Sequence, residues 1–215
     1  MKRSELITLL ALASLLLAVP AASADVMTYE GLGLVSTVKL HAAGLLGDGK
    51  TVLAGQYRYT YQGETLNAFC VDIDHYAGTT EVTEQPIDFL RNSQQVAYLY
   101  ETFVPTIQDG IDAAAVGVAI WEVLYEEEQN DFDAGSGYLY ITLNAAVLAA
   151  ANDLLAGVPD SYQPVTDLMV LHSPCKQDML IGSLGEVPEP ATIAFFALAA
   201  PWALLRRPRR RHARA

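Results

Sequence analysis

"AAAVGVAIWEVLYE", residues 113–126, is the stretch that decides the fold. From Ala113 to Trp121 the stretch is apolar on nearly every face of a helix, which predicts a helix buried inside the protein. Gly117 lies in the middle of this helix, where glycine costs about 1 kcal/mol relative to alanine. Position 117 therefore needs an explanation other than helix formation.

The part of the chain that follows residue 30 has the pattern of β-strands. Three segments between residues 31 and 76 are rich in valine, threonine, tyrosine and leucine, and glycine-containing turns separate them. "QYRYTY", residues 56–61, alternates in polarity, which predicts one buried and one solvated face. "FCVDID", residues 69–74, alternates too. Its two predicted faces carry Phe69, Val71 and Ile73 on one side and Cys70, Asp72 and Asp74 on the other.

Helices are predicted for the middle of the chain and strands for its end. Residues 93–104 have a helical pattern, with Asn92 or Ser93 as the predicted N-cap. Residues 109–128 have a second helical pattern, with Asp109 or Asp112 near its start, where an acid suits the helix dipole. Residues 141–157 form a third helical pattern, and residues 165–173 and 178–184 read as strands. This order predicts an α+β fold, a β-sandwich or barrel-like sheet with an inserted helical subdomain.

The N-terminus has the organisation of a signal peptide. Residues 1–24 combine Lys2 and Arg3, an apolar core and the small-residue sequence Ala22-Ser23-Ala24. We expect cleavage before Asp25, with an uncleaved membrane anchor as the alternative. The exported domain is then predicted to span residues 25–182.

The C-terminus has three consecutive parts. A linker, residues 183–190, ends in Val187, Pro188, Glu189 and Pro190, and residues 191–205 follow without a charge. A helix of that length spans about 22 Å, which makes a short transmembrane segment. Residues 206–215 form a basic tail that is expected to stay in the cytoplasm. Its retention cluster is Arg206, Arg207, Arg209, Arg210 and Arg211.

These three parts, in this order, resemble a PEP-CTERM sorting signal. In that family the tail holds the exported protein in the inner membrane until exosortase, a membrane-embedded cysteine protease-transpeptidase, acts at the Pro-Glu-Pro motif. The resemblance implies a Gram-negative bacterium that makes exopolysaccharide, and a destination at the cell surface or in the extracellular matrix. The alternative is a buried core helix followed by a nucleic-acid-binding tail.

Charge excludes one class of partner for the exported part. Residues 25–190 hold five basic and 24 acidic residues, a net charge of −19. Nucleic acid binding needs a basic surface, so no nucleic acid partner is expected.

The two cysteines, Cys70 and Cys175, leave three states open for Cys70. An exported protein with two cysteines can join them in a disulfide, and Cys70 can otherwise be a buried small side chain or a reactive thiol. The chain has none of the common zinc-ligand, nucleophile-elbow or phosphate-loop patterns. We therefore expect no enzymatic activity, no cofactor and no metal site.

"AFCVDI", followed downstream by "AVGVAIWEVLYE", resembles the bacterial thioester domain. In that family a cysteine on a β-rich part attacks a glutamine in a Thr-Gln-x-Ala-Ile-Trp helix, ammonia leaves, and the thioester formed can link the protein covalently to a surface amine. Cys70 matches the cysteine and Trp121 the tryptophan, but Val116 replaces the threonine and Gly117 the glutamine. The resemblance implies the domain architecture without the bond.

The expected function is therefore a non-covalent structural or interaction role at the cell surface or in the exopolysaccharide matrix. The alternative is a covalent adhesin that uses Cys70 with an acyl donor other than residue 117.

Three further features have a functional and a structural interpretation. Asp72, Asp74 and His75 could bind a cation, but a solvated strand edge is favoured. Residues 126–137 resemble a calcium loop superficially, but the EF-hand spacing fails, which favours an acidic helix end and a loop. Trp121, with Tyr125 and Tyr98, is predicted to be core rather than a platform for stacking sugars.

Overall fold

The computed structural model describes residues 25–126 and 132–182. The predicted signal peptide, the linker with its Val-Pro-Glu-Pro motif, the segment 191–205 and the arginine tail lie outside the described residues. Within the described part, no helix is both long and apolar enough to cross a membrane.

The described residues form strands and helices in mixed order. The strands are β1 (Asp25–Ala42), β2 (Lys50–Tyr61), β3 (Glu64–Cys70), β4 (Thr80–Pro86), β5 (Leu139–Thr142), β6 (Met169–His172) and β7 (Met179–Ile181). The α-helices are α1 (Ser93–Phe103), α2 (Gly110–Tyr125) and α3 (Ala145–Leu155). Two short 3₁₀ turns, Ile87–Phe89 and Val104–Thr106, flank α1. The α+β prediction is confirmed.

The strands make one large antiparallel sheet. Its order is β2-β3-β7-β6-β4-β1-β5, and β1 also pairs with β2. All strands except β5 therefore pair with two neighbours in a ring. In chain order the helices lie between β4 and β6, although β5 interrupts them and joins the end of β1.

Strand β1 reaches three partners because it is long and irregular. It pairs with β4 at its start, with β2 along most of its length and with β5 at its end. Its register with β2 shifts between Tyr29 and Gly31 and again between Leu32 and Val35. Such bulges bend a strand and increase its twist, which allows one strand to close a ring.

The alternation predicted for β2 is confirmed. Tyr57, Tyr59 and Tyr61 are buried, whereas Arg58 is exposed. The Tyr61 hydroxyl donates to Glu84 Oε1 over 3.0 Å, which ties β2 to β4. One face of β2 thus supplies an aromatic layer to the core.

Helix α2 is the buried helix that its sequence predicts. Every residue from position 113 to position 124 is buried, and the helix packs on β1 and β2. Asp109, one of two acids predicted near its start, is its N-cap and accepts hydrogen bonds from the backbone N–H groups of Ile111 and Asp112 over 2.8 and 3.1 Å.

Asn92 stands at the predicted N-cap position of α1 but makes no capping bond with its side chain. Its Nδ2 instead donates to the Val123 carbonyl over 2.7 Å. The left-handed backbone of Asn92, with φ of 51°, turns the chain into α1. The residue therefore joins α1 to α2.

Two elements differ from the sequence prediction. Strand β4 was not predicted, because Val82 is its only buried residue and the rest are polar or proline. The third helix was predicted from residue 141, but Ile141 belongs to β5 and pairs with Leu40 of β1. The helix begins at Ala145, where the Asn144 side chain accepts from the Val147 N–H over 3.2 Å. Tertiary pairing and this cap set the boundary.

Candidate functional site

Cys70 lies at the end of β3, between β2 and β7, and is almost fully buried. Its thiol donates a hydrogen bond to the Asp72 carbonyl over 2.9 Å. Burial raises the pKa of the Cys70 thiol to about 12. Since the thiolate is the nucleophile, this side chain is protonated and unreactive at neutral pH in this conformation.

Trp121 connects helix α2 to the same strand end. Its indole Nε1 donates to the Cys70 carbonyl over 2.8 Å, and its side chain is only 3% exposed. The bond gives a partner to the carbonyl of the last residue of β3, a buried backbone acceptor. The interpretation of Trp121 as a core residue is confirmed.

The other two aromatics of the predicted group lie in different settings. Tyr125 accepts a hydrogen bond from the Ile73 N–H over 3.2 Å and so holds the chain after Cys70. Tyr98 packs edge-on against Phe103 and Tyr162, with ring centroids 5.8 and 5.4 Å apart. Both contacts are structural.

Gly117 lies one helical turn before Trp121, where α2 crosses β2. A Cβ atom at position 117 would lie 3.1 Å from the backbone N of Gly55 and 3.8 Å from Phe69 Cδ1. Gly55 is itself confined, because its own Cβ would lie 2.4 Å from the Leu34 carbonyl oxygen. Two glycines therefore let the helix approach the sheet more closely than side chains allow.

This packing changes the meaning of Gly117. The atoms nearest to the missing side chain belong to Gly55 and Phe69, and none belongs to Cys70. A glutamine at position 117 would require α2 and β2 to separate. The glycine is explained by close packing as well as by its lack of an acyl group.

Two of the glutamines that the sequence offers as substitutes, Gln94 and Gln95, have side-chain partners elsewhere. Gln94 Oε1 accepts from the Tyr162 N–H, and Gln95 Nε2 donates to the Asp160 carbonyl. Gln177 donates its backbone N–H to the Tyr76 carbonyl, and Gln129 lies outside the described residues.

Sequence reasoning missed Gln56, which is buried in β2 and pairs in register with Phe69. Paired residues share a face of the sheet, whereas the next residue along the strand points to the other face. The pleat therefore places Gln56 and Cys70 on opposite faces. The β2–β3 register was the missing information, and the sequence does not contain it.

The two cysteines are free in the structure, and the disulfide of Cys70 and Cys175 that the sequence left open stays a prediction for labelling to test. Cys70 is buried, with its thiol directed to the Asp72 carbonyl. Cys175 is exposed, and its Sγ lies 3.6 Å from Thr80 Oγ1. One thiol therefore lies in the core and the other at the surface.

The predicted strand face with Asp72 and Asp74 does not exist, because β3 ends at Cys70. Asp72 Oδ1 accepts from the Asp74 N–H over 2.8 Å, which makes a turn, and Asp72 Oδ2 lies 2.6 Å from His75 Nδ1. This hydrogen bond raises the pKa of His75. The residues belong to a turn with an ion pair.

No group of three or more histidine, cysteine or acidic residues with the geometry of a metal site occurs among residues 25–126 and 132–182. The second histidine–carboxylate pair, His172 with Asp178 at 2.9 Å, ties β6 to the start of β7. Both pairs are explained by local structure.

A buried acid that sequence reasoning missed lies near the end of α2. Glu122 is fully buried, its Oε1 accepts from the Asp133 N–H over 3.0 Å, and its Oε2 has no hydrogen-bond partner among the described residues. Burial raises the pKa of Glu122 to about 8. One turn later, Glu126 Oε2 accepts from the Tyr138 N–H over 2.9 Å. The two acids hold the chain before β5 against α2.

Comparison of the chain with protein-family models, with curated proteins and with solved structures finds no match. The two family resemblances therefore rest on the quoted motifs alone. The chemistry of the site rests on the geometry around Cys70.

Proposed function

We propose that this chain is an exported protein of the cell surface or exopolysaccharide matrix that acts through non-covalent contacts. One observation carries the non-covalent part. The thiol at the position of the thioester cysteine is buried and bonded to a backbone carbonyl, and burial raises its pKa to about 12. An internal thioester needs a near-thiolate and an amide held against it.

A non-enzymatic role is supported by the partner of the same thiol. Cysteine nucleophiles work beside a general base, usually a histidine nitrogen. The Cys70 thiol donates to the Asp72 carbonyl instead, and His75 Nδ1 is paired with the Asp72 carboxylate.

The sorting part of the proposal is carried by the C-terminal motif. Val187, Pro188, Glu189 and Pro190 precede an uncharged segment and an arginine cluster, in the order of a PEP-CTERM signal. Proline on both sides of Glu189 keeps this segment extended, so that an enzyme can grip its backbone. Exosortase is the proposed transient partner, and the inner membrane holds the chain, C-terminus inside, until processing.

The test of the sorting part replaces Pro188, Glu189 and Pro190 with alanine in the native host. We expect the variant to accumulate uncleaved in the inner membrane fraction, while the wild-type chain reaches the surface or medium in cleaved form. Glu186→Ala, just outside the motif, is the matched control and should be processed normally. Normal release of the triple variant would contradict the proposal.

A further inference from the structure

A cavity of about 430 Å³ opens between β1, β2 and the chain that follows β3. Its apolar wall includes leucines from β1 and β2, and Leu32 is 42% exposed. Three tyrosines also line it, namely Tyr29, Tyr57 and Tyr76. We call it the tyrosine cavity.

The tyrosines are arranged from the interior to the solvent. Tyr57 is largely buried, and its hydroxyl donates to the Leu53 carbonyl over 2.7 Å. The Tyr29 and Tyr57 ring centroids lie 6.5 Å apart. Tyr76 lies at the rim of the cavity, and 76% of its surface is exposed. An aromatic ring held at a cavity rim provides an apolar face for a ligand.

The cavity wall also includes an unsatisfied acceptor. Gln177 lines the cavity, and its Oε1 is shielded from solvent without a hydrogen-bond donor. Its backbone N–H donates to the Tyr76 carbonyl over 3.3 Å, so the acceptor and the exposed ring belong to one local unit. A buried acceptor without a donor is unfavourable. Because the oxygen is closed to solvent in this conformation, a ligand hydroxyl reaches it only after the Gln177 side chain turns toward the cavity.

Charged groups in the cavity are of both signs. Lys50, Asp74 and His75 line it together with Gln177. They offer donors and acceptors to hydroxyl groups without selecting a charged ligand. The exported part as a whole has a net charge of −19, which repels polyanions.

We propose that the tyrosine cavity binds a neutral saccharide unit, with the apolar face of the sugar against Tyr76. The Gln177 side chain then turns toward the cavity, and a sugar hydroxyl donates to its Oε1. This inference deepens the non-covalent role proposed above and rests on it. A sugar combines the two properties that the cavity requires, an apolar face of C–H groups and many hydroxyl donors.

A larger cavity elsewhere lacks these properties. It measures about 670 Å³, lies between β4, β6 and the chain before β6, and includes Glu84, Asp88 and Asp167. None of its lining residues in the described part of the chain is aromatic. It therefore offers no ring for a sugar and serves as the reference surface.

The experiment is saturation-transfer difference NMR on the full chain in a detergent that has no sugar head group. The probes are cellotetraose, laminaritetraose and mannotetraose, with tetragalacturonate as the anionic comparison. We expect transfer to the ring protons of at least one neutral probe and none to tetragalacturonate. Transfer to none of the neutral probes, or preferential transfer to tetragalacturonate, would overturn the inference.

Substitutions at Tyr76 and Phe89 locate the binding. Tyr76→Ala should weaken binding about tenfold because the stacking face is lost. Phe89→Ala removes an aromatic ring of 48% exposure outside the cavity and should bind as the wild type does. Unchanged binding by Tyr76→Ala would overturn the inference.

Gln177→Met separates a binding role from a structural one. It removes the unsatisfied acceptor, so it should weaken binding while the melting temperature stays the same or rises. A lower melting temperature with unchanged binding would show that Gln177 is structural and would overturn the assignment. Sorting does not depend on sugar binding, so failure here leaves the sorting result intact.

Discussion

The indole N–H of Trp121 donates a 2.8 Å hydrogen bond to the carbonyl of Cys70. This one bond joins the centre of the buried helix α2 to the end of β3. It accounts for the joint presence of "AFCVDI" and "AIW" without any covalent bond between the two motifs. The helix and the sheet are held together by this hydrogen bond to a buried backbone carbonyl and by the close packing at Gly117.

Trp121→Phe should destabilise the protein. The variant keeps most of the apolar volume but leaves the buried Cys70 carbonyl without its donor, which costs about 1–3 kcal/mol. Urea unfolding of both proteins measures the loss. Tyr76→Phe, at an exposed tyrosine, is the control and should change stability by less than about 0.5 kcal/mol. Equal stability of Trp121→Phe and wild type would show that the bond is unimportant.

Gly117→Ala should also destabilise the protein, against the helix propensity of the two residues. Alanine gains about 1 kcal/mol in a free helix. Here the new Cβ would lie 3.1 Å from the Gly55 backbone nitrogen, and pairing of β2 with β1 on one side and β3 on the other limits its movement. We expect a net loss of about 1–3 kcal/mol, typical of overpacking. The measurement is the midpoint of urea unfolding.

Asp153→Ala supplies the control for this substitution. Asp153 lies on the exposed side of α3, where alanine improves helix propensity without a new contact. It should leave stability unchanged or raise it. A stabilising effect of Gly117→Ala comparable to that of Asp153→Ala would refute the close-packing account.

Thiol labelling should distinguish the two cysteines. In the folded protein a disulfide-exchange reagent should modify Cys175 only, since Cys70 is buried and its raised pKa keeps it protonated. In denaturant both should react. Cys175→Ala should abolish labelling of the folded protein. No labelling of either cysteine in the unreduced denatured protein would instead reveal a disulfide.

Glu122 should make stability depend on pH above the ordinary range of carboxylates. Its folded-state pKa of about 8 lies above its ordinary value of 4.5, so the folded state binds the proton more tightly. The stabilisation is complete below pH 4.5 and is lost as the pH rises toward 8. Glu126 and Asp133 add repulsion to the ionised form.

Glu122→Gln tests this dependence through unfolding free energies between pH 5 and pH 8. The variant keeps an acceptor for the Asp133 N–H and should flatten the decline. Glu101→Gln is the control, since hydrogen bonds from the chain around Thr166 lower the pKa of Glu101 and place its titration below this window. It should lower stability throughout but keep the slope. An unchanged slope in Glu122→Gln would rule out Glu122 as its source.

Local patterns were sufficient for part of this fold. The alternation of Tyr57, Tyr59 and Tyr61, the buried helix and the Asp109 cap each depend on neighbours in sequence. Strand β4 has a single buried residue, and β5 takes residues from a helical pattern, so only pairing with distant strands defines them.

The site was predictable only in its composition. Cys70 and Trp121 stood out by their motifs, but the register that separates Gln56 from Cys70 is a tertiary property. The same is true of Gly55 beneath Gly117 and of the unpartnered oxygen of Glu122. Sequence spacing does not encode these distances.

Intact-mass spectrometry of the purified chain tests the central claim, that Cys70 forms no internal thioester. The account predicts a mass equal to that of the unmodified sequence after processing, and no change on treatment with methylamine. A mass lower by one ammonia that methylamine converts to its adduct, and that disappears in Cys70→Ala, would contradict it and identify a covalent adhesin.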